Sequence, residues 1–262
     1  MISVANISVA YANGPQALAP TSLSFAKGDF TVLLGASGAG KSTLLRTLNG
    51  LVAPSAGEVV LEDGRALRGG ARLRAHRRRT GMIFQQHQLI GRLSVVDNVL
   101  IGRLGSQSLL QSVRPRPQAD MIRALEAIAR VGLIDHALRR ADQLSGGQQQ
   151  RVGIARALVQ SPRMLLADEP IASLDPRTAD DLMGLLHAIC KADGLAAIVS
   201  LHQLDFARRY ADRIVALARG AVVFDGPPAD LGSREIEAIY GAGQPALQPH
   251  SSETALEMEP AT

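Results

Sequence analysis

Residues Gly35-Ala36-Ser37-Gly38-Ala39-Gly40-Lys41-Ser42 decide how this chain is read. The octapeptide fits G-x-x-x-x-G-K-[ST]. In a chain whose only lysines are Lys27, Lys41 and Lys191, such a match rarely arises by chance. Its surroundings match as well. An apolar run over 30–34 reads as a buried strand, and a helical pattern opens at Lys41 and runs through Ser42 and Thr43 to residue 49. Glycines let backbone N–H groups turn inward around anionic oxygens, and the helix N-terminus adds positive partial charge. Lys41 then reaches the terminal phosphates, and the Ser42 hydroxyl takes one position on Mg²⁺. The stretch implies a bound nucleoside triphosphate.

Such a cradle needs an acidic partner at the end of another buried strand. Met164-Leu165-Leu166-Ala167-Asp168-Glu169 supplies one. Asp168 is expected to hold the magnesium through its water shell, and Glu169 to polarise the attacking water. An apolar run ending in Asp-Glu says little alone, because acids often end strands. Its weight comes from the cradle.

Leu144-Ser145-Gly146-Gly147-Gln148-Gln149-Gln150-Arg151 opens another helical stretch, so Ser145, Gly146, Gly147 and Gln148 make a second anion-binding helix start. One economical explanation is that it serves a nucleotide held by another copy of the chain. Here the sequence resembles the ATP-binding subunits of ABC transporters, over roughly residues 1–240. The resemblance implies that Gln85 senses Mg²⁺ and water and couples to a membrane subunit. It makes Ser173-Leu174-Asp175 the D-loop, with Asp175 near the nucleotide, and His202 the switch histidine at the γ-phosphate. Tyr11 lies where the family stacks an aromatic ring on adenine, with Ala17 at the small apolar position after it. The implied mechanism is a head-to-tail homodimer closing around two ATP–Mg²⁺.

Short β-type runs at 2–10, 30–34, 58–61, 81–84, 164–167, 196–200, 213–216 and 221–224 alternate with helical patterns at 41–49, 120–131, 148–159 and 179–192. This predicts an α/β fold. With the resemblance it becomes a P-loop NTPase of the ABC type: a RecA-like core, an antiparallel β layer from the earliest strands, and a helical subdomain near 87–160. The polar, proline-bearing tail over 241–262 reads as disordered.

Composition narrows the function. Aromatics are 3% with no Trp, which argues against a surface that stacks exposed bases. Cys190 stands alone, so no intrachain disulfide can form. No apolar stretch approaches a membrane span, and the N-terminus lacks a signal-peptide pattern, so a soluble, cytosolic chain is expected. The net charge of +4 has a local source in 64–79, which carries Arg65, Arg68, Arg72, Arg74, Arg77, Arg78 and Arg79. That stretch is expected to be a solvated face or a helix ahead of the strand at 81, with anionic lipid headgroups as a secondary partner.

One cassette, one cysteine and no heptad run favour a transporter subunit whose membrane domains are separate chains. The stretch 88–105, Ala167-Asp168-Glu169-Pro170-Ile171-Ala172-Ser173-Leu174-Asp175-Pro176 and Leu201-His202-Gln203-Leu204-Asp205 resemble ATP-binding subunits of phosphonate importers. Another polar solute is the alternative substrate, and a soluble ABC ATPase acting on nucleic acid or ribosomes is the alternative class. The resemblance implies transmembrane permease subunits docked near 85–105, and a periplasmic or extracellular phosphonate-binding protein as an indirect partner. No nucleic acid is expected. The implied location is peripheral, on the cytoplasmic face of the bacterial inner membrane.

Overall fold

The computed structural model describes residues 2–11, 16–86, 88–106 and 117–241; all of the tail expected to be disordered except Gly241 lies outside them. Two sheets form. The first is antiparallel, in the order β2 (Gln16–Phe25), β1 (Ile2–Ala10), β4 (Ala56–Val60). The second has six strands in the order β5 (Thr80–Ile83), β6 (Met164–Asp168), β7 (Ala196–Leu201), β3 (Phe30–Leu34), β8 (Arg213–Ala218), β9 (Ala221–Gly226). All its pairings are parallel except that of β8 with β9.

The central strands β3, β6 and β7 are buried along their whole length and mostly apolar because both of their faces are covered. Side chains alternate across the sheet, so Phe30, Val32, Leu34, Leu165, Ala167, Val199 and Leu201 enter one core. Leu33, Leu166 and Ile198 enter the other, shared with Leu44, Leu45 and Leu48 of α1 (Lys41–Leu48) and with the antiparallel sheet. Asp168 and Ser200 each stand two residues beyond a member of this second core. Alternation therefore turns both side chains towards α1.

The helices after α1 are α2 (Gly70–Arg77), α3 (Val95–Ile101), α4 (Gln118–Arg130), α5 (Gly146–Leu158), α6 (Pro176–Asp193), α7 (Leu204–Tyr210) and α8 (Ser233–Tyr240). Val95, Val99, Ala124, Ile128, Val152 and Ala155 join α3, α4 and α5 in the first core. The arginine-rich stretch does form a helix, α2, and buries none of its residues. Several of its cations are tethered: Arg72 to Asp63 at 3.1 Å, and Arg77 to the carbonyls of Asn49 and Gly50. No helix among the described residues is long and apolar enough to cross a membrane.

For the eight strands expected individually, expected and observed ends differ by at most two residues, while β2 had no bounds of its own in the sequence reading. The short helices α3, α7 and α8 had no separate sequence signal, since seven or eight residues hold barely two turns of periodicity.

Candidate nucleotide site

The cradle bridges the end of β3 and the start of α1. Gly40 has φ 103°, and a Cβ there would stand 2.7 Å from the Ala17 carbonyl oxygen, so only glycine fits the final turn. The β8–β9 turn braces the loop, with the Gly220 N–H donating to the Ala39 carbonyl at 3.1 Å. Lys41 is buried, and its Nζ donates to the carbonyls of Gly35 at 2.7 Å and Ala36 at 3.0 Å. Glu169 Oε1 lies 3.5 Å away. Burial pushes the Lys41 pKa below the usual lysine range, against the opposing pull of the Glu169 and Asp168 carboxylates.

Asp168 ends β6 and is 4% exposed. Its Oδ1 accepts hydrogen bonds from Ser42 at 2.7 Å and Ser200 at 2.9 Å, while Arg46 stands 4.0 Å from Oδ2. Next to it, Glu169 takes φ 46°, a left-handed conformation uncommon for a non-glycine residue. Its N–H donates to Ser200 Oγ at 2.9 Å, and its Oε2 accepts from Gln85 Nε2 at 3.3 Å. The pairing of Leu34 with Leu201 and of Asp168 with Ser200 brings Gly35, Glu169 and His202 together at the C-terminal ends of the parallel strands. His202 is exposed there, and its carbonyl accepts from the Tyr240 hydroxyl at 2.9 Å. The Tyr11 hydroxyl lies 3.4 Å from that of Thr43, beside the cradle.

Ser145, Gly146, Gly147, Gln148 and Asp175 form a second group at the starts of α5 and α6. Ser145 caps α5 by accepting from the Gln148 N–H, and the Gln148 side chain accepts from the Ser145 N–H in return. Asp175 caps α6 through the Thr178 N–H at 3.0 Å. The Thr178 side-chain hydrogen bond, followed by this backbone bond, holds the Asp175 carboxyl below the usual carboxylate range. The two helix starts touch closely: a Cβ on Gly147 would lie 2.6 Å from Thr178 Cγ2. The polar side chains of Ser145, Gln148 and Asp175 bond to backbone N–H groups at their own helix starts.

Lys41, Ser42, Gln85, Asp168 and Glu169 thus converge. Ser200 and Arg46 were not foreseen. Ser200 did carry a signal, as the single polar residue of the strand Ala-Ala-Ile-Val-Ser-Leu.

A glycine-rich cradle at a helix N-terminus, facing a strand-end Asp-Glu pair, defines a nucleoside-triphosphate-binding protein of the P-loop class. The family described as ABC transporter matches residues 18–172, and the chain belongs to that family. It is 56% identical to a phosphite import ATP-binding protein of Stutzerimonas stutzeri, over 98% of this chain and 96% of that one. It is also 56% identical to a phosphonates import ATP-binding protein of Nostoc sp., over 92% of each chain. Among solved structures, it resembles a dimeric ATP-binding cassette in a post-hydrolysis state with ADP and Pi bound. That match has a TM-score of 0.75 at 33% identity and covers 87% of this chain and 99% of that one.

Proposed function

We propose that this chain is the ATP-hydrolysing subunit of an ABC importer for phosphonates or a close phosphorus oxyanion such as phosphite. The observation that carries the reading is the convergence of Lys41, Gln85 and Glu169 beside the Ser42–Asp168 pair. The names of the relatives support the substrate class. The cradle, residues 35–43, binds the phosphates of ATP, and Tyr11 packs against the base.

The donor set fits Mg²⁺: a hydroxyl and a carboxylate, both hard oxygen donors, 2.7 Å apart. Ser42, Gln85 and Asp168 would hold the ion, Asp168 through its water shell. Bound there, Mg²⁺ would neutralise charge on the triphosphate. Glu169 accepts the proton of the attacking water as its oxygen bonds to the γ-phosphorus and the bond to the departing ADP breaks. Lys41 and His202 stabilise charge on the γ-phosphate.

Residues 1–240 act as one cassette, with 87–160 as its helical subdomain and 241–262 as a tail. Two copies close head to tail, each presenting Ser145, Gly146, Gly147, Gln148 and Asp175 to the nucleotide of the other. Hydrolysis removes the γ-phosphate contacts and reopens the dimer. Separate permease subunits dock along 85–105 at the cytoplasmic face of the membrane, and an extracytoplasmic binding protein delivers the solute.

The test is growth of a deletion strain, lacking any redundant importer, on a phosphonate or phosphite as sole phosphorus source. Lost growth, restored by the wild-type gene, is expected. Undiminished growth on both overturns the substrate assignment.

A further inference from the structure

Ser200 occupies a position in β7 where the alternating pattern otherwise delivers Ile198 to the second core. It is fully buried, at 0% exposure. Burying a hydroxyl without partners is costly. Here both of its hydrogen-bonding roles are filled, and both partners are functional. The hydroxyl donates to Asp168 Oδ1 at 2.9 Å and accepts from the Glu169 N–H at 2.9 Å. One oxygen therefore joins the side chain of the first acid to the main chain of the second.

The peptide N–H that donates the second bond belongs to a residue with left-handed backbone. Glu169 sits at φ 46°, a conformation that side chains of this size adopt only when their surroundings enforce it. That conformation lets Asp168 face α1 and Ser42 while Glu169 aims its carboxylate at Lys41 and Gln85. Without it, strand alternation would send consecutive side chains to opposite faces of the sheet.

We propose that Ser200 is a positioning residue for hydrolysis. It holds the Asp168 carboxylate in the orientation that takes Mg²⁺, and it locks the left-handed turn that directs Glu169 towards the attacking water. This rests on the roles of Asp168 and Glu169 given under Proposed function. Ser200 acts through these two acids, to which its hydroxyl is bonded.

The test compares Ser200→Ala, Ser200→Cys and Ser200→Thr in the full chain. Cysteine fills the volume but hydrogen-bonds weakly, whereas threonine keeps the hydroxyl. In the alanine and cysteine variants, kcat for ATP is expected to fall about tenfold with KM changed less than twofold. The affinity for Mn²⁺ in the presence of a non-hydrolysable ATP analogue, read by electron paramagnetic resonance, is expected to fall severalfold. Nucleotide affinity in EDTA is expected to stay unchanged, and Ser200→Thr to recover most of the lost kcat.

If one of these variants fails to fold, the other decides. A folded Ser200→Ala or Ser200→Cys protein with wild-type kcat and wild-type Mn²⁺ affinity overturns the proposal. So does a loss that appears equally in EDTA, which reports a general collapse of the site. Glu169→Gln runs alongside. If it is inactive while the Ser200 variants match wild type, the positioning role alone fails; if it hydrolyses at the wild-type rate, the underlying assignment of Glu169 fails.

Discussion

The Ser42 hydroxyl donates to Oδ1 of Asp168 across 2.7 Å, joining two residues 126 positions apart in the chain. The first begins a helix and the second ends a strand, and together they present oxygen donors at the edge of the central sheet. Ser42→Ala removes one donor and leaves the carboxylate with its Ser200 bond. We expect hydrolysis to fall about a hundredfold, with the dependence of ATP affinity on Mg²⁺ much reduced. Titration of a fluorescent ATP analogue with and without Mg²⁺ checks this; an unchanged Mg²⁺ dependence excludes Ser42 as a ligand.

Glu169→Gln keeps the size of the side chain and its contact with Gln85 but removes the proton acceptor. Loss of a general base costs about 10²–10⁴-fold in rate. The variant is expected to bind ATP with near wild-type affinity and to accumulate as an ATP-stabilised dimer, visible by size-exclusion chromatography. Wild-type turnover would show that another group takes the proton.

Gly147 and Thr178 make a steric prediction independent of chemistry. The added Cβ of Gly147→Ala lies 2.6 Å from the Thr178 methyl, so the starts of α5 and α6 must separate. The expected cost is about 1–2 kcal/mol, read as a Tm lower by several degrees. Thr178→Ser deletes that methyl and keeps the hydroxyl. Gly147→Ala combined with Thr178→Ser should therefore recover the loss; strict additivity of the two changes would count against the clash.

Asp212 gives a pH dependence. Its Oδ2 accepts the Phe30 N–H at 2.7 Å and pairs with Lys191. Burial pushes its pKa upward, but Lys191, the Phe30 N–H and His187 outweigh it and hold the carboxyl below the usual carboxylate range. A folded-state pKa below the unfolded value gives stability that is present above the unfolded value and lost as pH falls through the folded one. With its side chain 43% exposed, the pair is screened by solvent, so Asp212→Asn should destabilise the chain at pH 7 by only about 0.5 kcal/mol, a difference that fades below about pH 4. Urea melts of both proteins at pH 7 and pH 3 measure it. A difference that persists at low pH rules out the carboxylate charge as its source.

The cradle was legible because its chemistry is local. Its glycines, Lys41 and Ser42 are contiguous, and the flanking apolar strand and helical pattern are read from the same few residues. The same holds for Ser145-Gly146-Gly147-Gln148, whose capping bonds span three positions. Most strands of the main sheet were legible for a related reason, since burial on both faces demands unbroken apolar runs. Gln85 and His202 were placed only by resemblance, because neither carries a local signal.

The glycine cradle and the strand-end Asp-Glu pair could be read from the chain alone, since short-range backbone geometry and alternation specify both. The tertiary structure decided which distant side chains complete the site. The adjacency of β6 and β7 sets Ser200 beside Asp168, and the left-handed backbone of Glu169 turns that carboxylate to Lys41 and Gln85. The physical reason is that hydrogen bonds between strands depend on sheet order and register, which arise from how the whole chain packs.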